Sequence, residues 1–281
     1  MQETPPLTAT RSALCVIKRS SSPFVTNTPL TRFIKKQTSM GENVTSLKRL
    51  ARLAGLLYLI LGVSAAYGIM YVSSQILIPE DSAATINNIR SKETLFRTGI
   101  VSHLISTITL LFLALVLYRI LKAVDTNKAK LMVALVVVQV PVVFVIEILR
   151  ISALMISKGE TLKPLGSEQL HNLSIGFIKT HSYGIMILEI FWGLWLIPFG
   201  QLIQKSSIIP RLLGTLLIIA GLGYIIDSLT FILFPSFRVV TKFPALAFSA
   251  IGEVTTILWL LIKGVKEVNI LPTDKNNERT T

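Results

Sequence analysis

Residues 131–156 read LMVALVVVQVPVVFVIEILRISALMI. The run exceeds the roughly 20 apolar residues that cross a bilayer as a helix. Its only charged residues, Glu147 and Arg150, lie toward one end. A helix on the surface of a soluble domain would keep a polar face along its whole length, and this run has none. It therefore reads as a membrane span that carries two charges. A charge within a bilayer costs roughly 2.5 kcal/mol or more on insertion scales, so both residues require partners or a function.

The same pattern recurs on either side. Spans are predicted at 51–74, 96–120, 130–156, 181–203, 210–234 and 243–265. Hydrophobic residues make up 51% of the chain and charged residues 15%, whereas soluble domains carry about 25% charged residues. The expected fold is an all-α membrane protein, a six-helix transmembrane bundle over residues 47–268. Pro210 opens the fifth span, where its missing N–H does no harm. Pro141 and Pro198 fall inside spans and are expected to bend them.

The net charge is +13. In a soluble protein such a charge suggests nucleic acid. Here the basic residues flank apolar runs, so membrane topology and anionic lipid explain them, and no nucleic-acid partner is expected. Lys48, Arg49 and Arg52, the group Arg119, Lys122, Lys128 and Lys130, and the pair Lys205 and Arg211 fall on the side of the N-terminus. The opposite connections are poorer in Lys and Arg, which places both termini in the cytoplasm. The single cysteine, Cys15, rules out an internal disulfide and a thiolate metal site.

Residues 1–46 read as a disordered basic tail rich in Ser, Thr and Pro, and residues 269–281 as a polar tail. The N-terminal stretch also suits a transit peptide. The favoured reading starts the protein at Met40, directly before the basic flank of the first span. Two outer connections are longer than the rest. Residues 79–95 suggest a short helix capped by Asp81 or Ser82. Within 157–180, Ser167 followed by Leu170, Leu173 and Phe177 suggests a helical turn or two leading into the fourth span. Arg52-x-x-Gly55 with Gly62 is echoed by Arg211-x-x-Gly214 with Gly221. Chance repetition explains the echo better than duplication, but each glycine pair marks a helix face open to close approach.

The segment Ile209-Pro210-Arg211-Leu212-Leu213-Gly214, continued by Ala220-Gly221-Leu222-Gly223-Tyr224-Ile225-Ile226-Asp227-Ser228-Leu229, resembles the hallmark of a bacterial integral membrane family, domain of unknown function 4386. Ala51-Arg52-Leu53-Ala54-Gly55-Leu56-Leu57-Tyr58, Leu95-Phe96-Arg97-Thr98-Gly99 and Gly252-Glu253 with Leu258-Trp259-Leu260-Leu261-Ile262-Lys263-Gly264 also match. The resemblance covers about residues 47–268. It implies a multi-pass protein of the bacterial cytoplasmic membrane and no activity.

Apart from the Lys and Arg residues near their ends (Arg52, Arg97, Arg119, Lys130, Arg211 and Lys263), the spans hold seven charged or imidazole side chains: His103, Glu147, Arg150, His181, Glu189, Asp227 and Glu253. At about 1.5 Å of rise per residue, all but His181 lie roughly 9 to 15 Å from the outer end of their span. His181 is expected at the membrane boundary. Glu147 and Arg150, three apart, form a candidate structural ion pair. His103, Glu189, Asp227 and Glu253 are the candidate ligand-binding residues of an outer-half polar layer. Four acids against Arg150 cannot all ionise comfortably, so the layer calls for protons, a cation or a charged His103.

Three functions fit. The first is binding or moving a small cationic or polar solute, or protons. The second is a non-catalytic partner or sensor subunit whose polar residues are interhelical glue. The third is an intramembrane metal-dependent enzyme using His103, His181 and carboxylates. The third is weakest, since no His-x-x-x-His or His-Glu-x-x-His motif is present, and no metal or cofactor is assigned. Nucleotide-binding and serine-nucleophile motifs are absent from the sequence. A broken-helix inverted repeat, the usual mark of a carrier, is not evident.

Overall fold

The structure, a computed structural model, describes residues 29–159 and 165–266. Met1–Glu42 and Asn43–Thr281 are separate units. Of the first, residues 29–42 are helical backbone. The expected start at Met40 is not decided by this. Most of the N-terminal tail and all of the C-terminal tail lie outside the described residues.

Among the described residues, six helices are long and apolar enough to cross a membrane: Thr45–Ile76, Glu93–Leu121, Thr126–Ser157, Ser167–Lys205, Arg211–Leu233 and Pro235–Ile262, here spans 1 to 6. Span 1 ends the helix α1, Pro29–Ala65, and continues through a π-helical stretch, Ala66–Tyr71, into α2, Val72–Ile76. A short helix, α3, Ser82–Ser91, follows it. Asp81 caps α3 by accepting from the Ala84 N–H at 2.8 Å.

The bundle wears its apolar residues outside. In span 3, Val145 and Ile148 are 61% and 57% exposed, whereas Glu147 and Arg150 are 1% and 4% exposed. That inversion is the signature of a helix whose solvent is lipid, and it makes this chain a multi-pass membrane protein.

Each span packs on its neighbours in sequence, and span 6 returns to span 1, so the six form a closed ring. Small residues draw the helices together. A Cβ at Gly200 would stand 2.5 Å from the Gly214 carbonyl oxygen, and one at Gly221 would stand 2.7 Å from that of Gly193. These two antiparallel glycine pairs form the seam between spans 4 and 5. Gly55 closes the ring, since a Cβ there would lie 2.7 Å from the Leu261 nitrogen of span 6. The two echoed glycine pairs thus serve different seams. Lipid tails are as apolar as Leu, so association of this kind is driven by packing and polar contacts rather than by hydrophobic burial.

The end of the bundle that carries Thr45, Leu121, Thr126, Lys205 and Arg211 is called basal here, and the other end apical. The basal half is solid. Tyr58, Leu113, Leu117, Met132, Trp195, Phe199, Leu217 and Leu260 meet there in one cluster drawn from all six spans. Trp195 and Phe199 stack with ring centroids 5.6 Å apart. The apical half is roofed on one side by α3, whose Ile86 and Ile89 pack with Val72, Ile76, Phe96 and Leu154. Asn88 and Lys92 donate to the Ile76 and Gln75 carbonyls and tie the roof to the end of span 1.

The starts of spans 1 to 3, at Thr45, Glu93 and Thr126, precede the expected 51, 96 and 130, and two further boundaries differ in ways that bear on the site. Span 4 begins at Ser167 rather than 181, so His181 lies well inside a continuous helix. Leu170, Ser174 and Ile178, four apart, are all buried there. The segment is too polar to count as membrane core, yet it continues the helix into the apical cap. Span 6 gains Arg238 at the start of its helix, five residues before the expected 243.

Candidate functional site

The polar layer resolves into three clusters around one cavity. The cavity, about 750 Å³, runs from mid-bundle toward the apical end. Its floor is the basal core: Tyr58, Leu110, Trp195, Leu196 and Ile257. Its walls include Ala65, Ala66, Ile69 and Met70 of span 1, largely the π-helical stretch. His103, Arg150, His181, Glu189, Asp227, Arg238, Lys242 and Glu253 all line it.

The first cluster joins spans 2, 3 and 4. Glu147 Oε1 lies 2.6 Å from His103 Nδ1 and 3.1 Å from His181 Nε2. An ionised carboxylate only accepts, so each imidazole turns an N–H toward it. Arg150 Nη1 stands 3.5 Å from Glu147 Oε2. That contact is an ion pair without hydrogen-bond alignment, and Oε2 has no hydrogen bond. Arg150 also sits over the Phe96 ring, 4.7 Å from its centroid. Gly99 makes the room, because a Cβ there would approach the Arg150 Nη2 to 3.1 Å. The expected Glu147–Arg150 pair is present, but its carboxylate is shared with two histidines. His181 reaches it from inside a continuous helix rather than from a helix end.

The second cluster joins spans 1, 5 and 6. Tyr58 donates to Glu253 Oε2 at 2.8 Å, and Tyr224 donates to Glu253 Oε1 at 3.0 Å. Trp192 meets the Tyr224 ring edge-on at 5.8 Å. The third lies at the apical turn between spans 5 and 6. Thr241 donates to Asp227 Oδ1 at 2.7 Å, and Arg238 lies 3.3 Å from Asp227 Oδ2. Asp227 has no basic neighbour on its own helix, and Arg238 supplies one across the connection.

Glu189 differs from the other acids in having neither a hydrogen bond nor an ion pair among the described residues, whereas Glu147 Oε2, likewise without a hydrogen bond, has Arg150 at 3.5 Å. Glu189 sits on span 4 and lines the cavity, and its Oε2 is buried without a hydrogen-bond partner among the described residues. Arg238 and Lys242 face the same space, so Arg150 is not the layer's lone fixed cation, as the sequence suggested. Sequence reasoning also passed over Tyr58, Tyr224, Thr241 and Lys242. The tyrosines gave a faint signal, since a phenol within a span needs a partner.

Residues 53–264 match domain of unknown function 4386. The chain belongs to that family. An uncharacterized protein of the archaeon Archaeoglobus fulgidus is 38% identical over 95 residues, which cover 34% of this chain and 55% of the relative. The match thus spans about half the length of that curated relative. The relative is archaeal, so membership carries no bacterial origin with it. No solved structure matches. The match spans all three clusters, from Tyr58 to Glu253, so the cavity lies within the domain of unknown function 4386 itself.

Proposed function

We propose that this membrane protein binds, and through binding moves, a small cationic or polar solute in its apical cavity. The observation that carries the reading is Glu189. Interhelical glue accounts for Glu253, held by two tyrosines, and for Asp227, held by Thr241 and Arg238. It does not account for a carboxylate oxygen left unpartnered beside a cavity. An unsatisfied buried acceptor costs about 1–3 kcal/mol, more when charged, and a ligand with N–H or O–H donors removes that cost.

The volume supports the same reading. Small-molecule sites occupy roughly 300–1,000 Å³, mostly apolar with a few convergent polar groups. Glu189 and Glu253 supply negative charge, and the Trp192 and Tyr224 faces suit a cationic headgroup. The basic residues on the basal connections support a basal end in the cytoplasm and a cavity served from the outside.

Trp192 and Trp195 line the cavity and report on it. Tryptophan emission of the purified protein is titrated with tetraethylammonium, ethanolamine, glycine betaine and glycerol. The expected result is a saturable change with at least one cationic probe, lost in Glu189→Gln. No saturable change with any of the four, in monodisperse protein, would leave the polar-glue reading in its place.

A further inference from the structure

We infer that His103, Glu147 and His181 form a binding site for one divalent transition-metal ion of the zinc, cobalt or iron(II) class, its open coordination position facing the cavity. The inference stands on the first cluster and does not depend on the solute reading.

Three donor atoms from three different spans converge. His103 Nδ1 and His181 Nε2 lie 2.6 and 3.1 Å from the same Glu147 oxygen, and all three donors fall within 4.8 Å of one another. Donors held about 2.0–2.2 Å from a tetrahedral ion stand roughly 3.4 Å apart, so small outward shifts admit one. Two imidazoles and one carboxylate, with a fourth position open, form a recurrent donor set of reactive zinc and iron sites. Both histidines line the cavity, so the open position has space in front of it.

The surroundings fit as well. A ligating carboxylate is normally steered through its other oxygen. Arg150, placed by Phe96 and Gly99, sits on Glu147 Oε2 and leaves Oε1 facing the histidines. On binding, each neutral imidazole moves its proton from the nitrogen facing Glu147 to its other ring nitrogen, so no proton need leave the site. If all are ionised, Glu147, Glu189, Asp227 and Glu253 face Arg150, Arg238 and Lys242. A dication then changes the local net charge from −1 to +1, with Arg150, on the far oxygen of Glu147, the cation nearest to it. The sequence offered His103 and His181 with unspecified carboxylates as a weak metal set and could not single out Glu147, because the ligands come from three helices with no two on one helix face.

The test is a cobalt(II) titration of the full-length protein, stripped with chelator and held in detergent. The expected result is one ion per chain, with the intense visible bands of a low-symmetry site. His103→Ala and His181→Ala remove the bands, whereas His171→Asn, outside the cluster, keeps them. Arg150→Met weakens binding by about 10- to 100-fold, as loss of an orienting partner does. His103→Gln keeps a donor toward Glu147 and removes the imidazole, so it separates ligation from folding should the alanine variants unfold. Absence of stoichiometric binding by the wild type would overturn the inference, and so would bands that survive in the histidine variants.

Discussion

The basal and apical halves of these six helices are built from the same spans and filled in opposite ways. In the basal half, Trp195, Phe199, Met132 and Leu217 close the ring's axis with side chains that make no demand for charge or water. In the apical half the axis stays open, and among apolar walls it is faced by carboxylates, imidazoles, an ammonium and guanidinium groups. A bundle that needed only to hold together would fill both halves alike. On the proposed function, the solid half fixes helix spacing and the open half uses it.

The largest effect is expected where the apical half is not open but tied. Glu147→Leu leaves Arg150 buried without its counter-ion and releases two histidines, a loss of about 3–5 kcal/mol. The double variant with Arg150→Met regains most of it in thermal unfolding assays. A single variant as stable as the wild type would show that the first cluster does not hold the spans together. Gly200→Leu, against the Gly214 carbonyl, comes next at about 3 kcal/mol, because backbone rather than a movable side chain is in the way. Phe199→Ala in the solid half follows at about 2 kcal/mol, a packing loss without the transfer term that water would add. Glu189→Gln is the sharpening case. It costs less than about 1 kcal/mol, because nothing in the fold depends on it, yet it removes the ligand response. If Glu189→Gln were as destabilising as Glu147→Leu, the distinction between tied and open acids would be wrong.

The six spans were legible because length and hydropathy alone decide a membrane helix. Span 3 could hardly be read otherwise. What could not be read was azimuth, the direction in which each residue faces around its helix. Glu147 and Arg150 share a face by their spacing, but that His103 and His181 arrive at the same oxygen depends on how three helices are rotated. Ser167–Thr180 reads as only a turn or two ahead of span 4, because it mixes Leu and Ile with Glu, His and Lys, which lowers its hydropathy without breaking the helix. Arg238 falls between the predicted spans 210–234 and 243–265, yet it reaches back to Asp227 over the apical turn. The glycines of span 4, Gly193 and Gly200, were passed over, while their partners Gly214 and Gly221 were noted as a close-approach face.

The smallest expected effect lies outside the membrane, at the basal end. Asp125 accepts from the Lys128 N–H and pairs with Lys205 at 3.0 Å. The Lys128 N–H first, then the Lys205 ammonium, hold its carboxyl below the usual range. Its folded-state pKa thus lies below the unfolded value near about 3.9, so its contribution is complete above that value and is lost as pH falls through the lowered one. Asp125→Ala is expected to lower stability slightly at neutral pH and to flatten the acid limb, so that variant and wild type converge as pH falls through the lowered value.

Thiol accessibility tests the contrast between the halves most directly. In a Cys15→Ser background, cysteine replaces Ser106 or Ser249 at the apical cavity, or Ala114 or Ala220 in the basal core. A small, charged, membrane-impermeant thiosulfonate is then applied to the protein in sealed vesicles of each orientation. The account predicts labelling of the two apical cysteines from one side only, and none of the basal pair from either side. Equal protection of all four, or labelling of the basal pair, would contradict it.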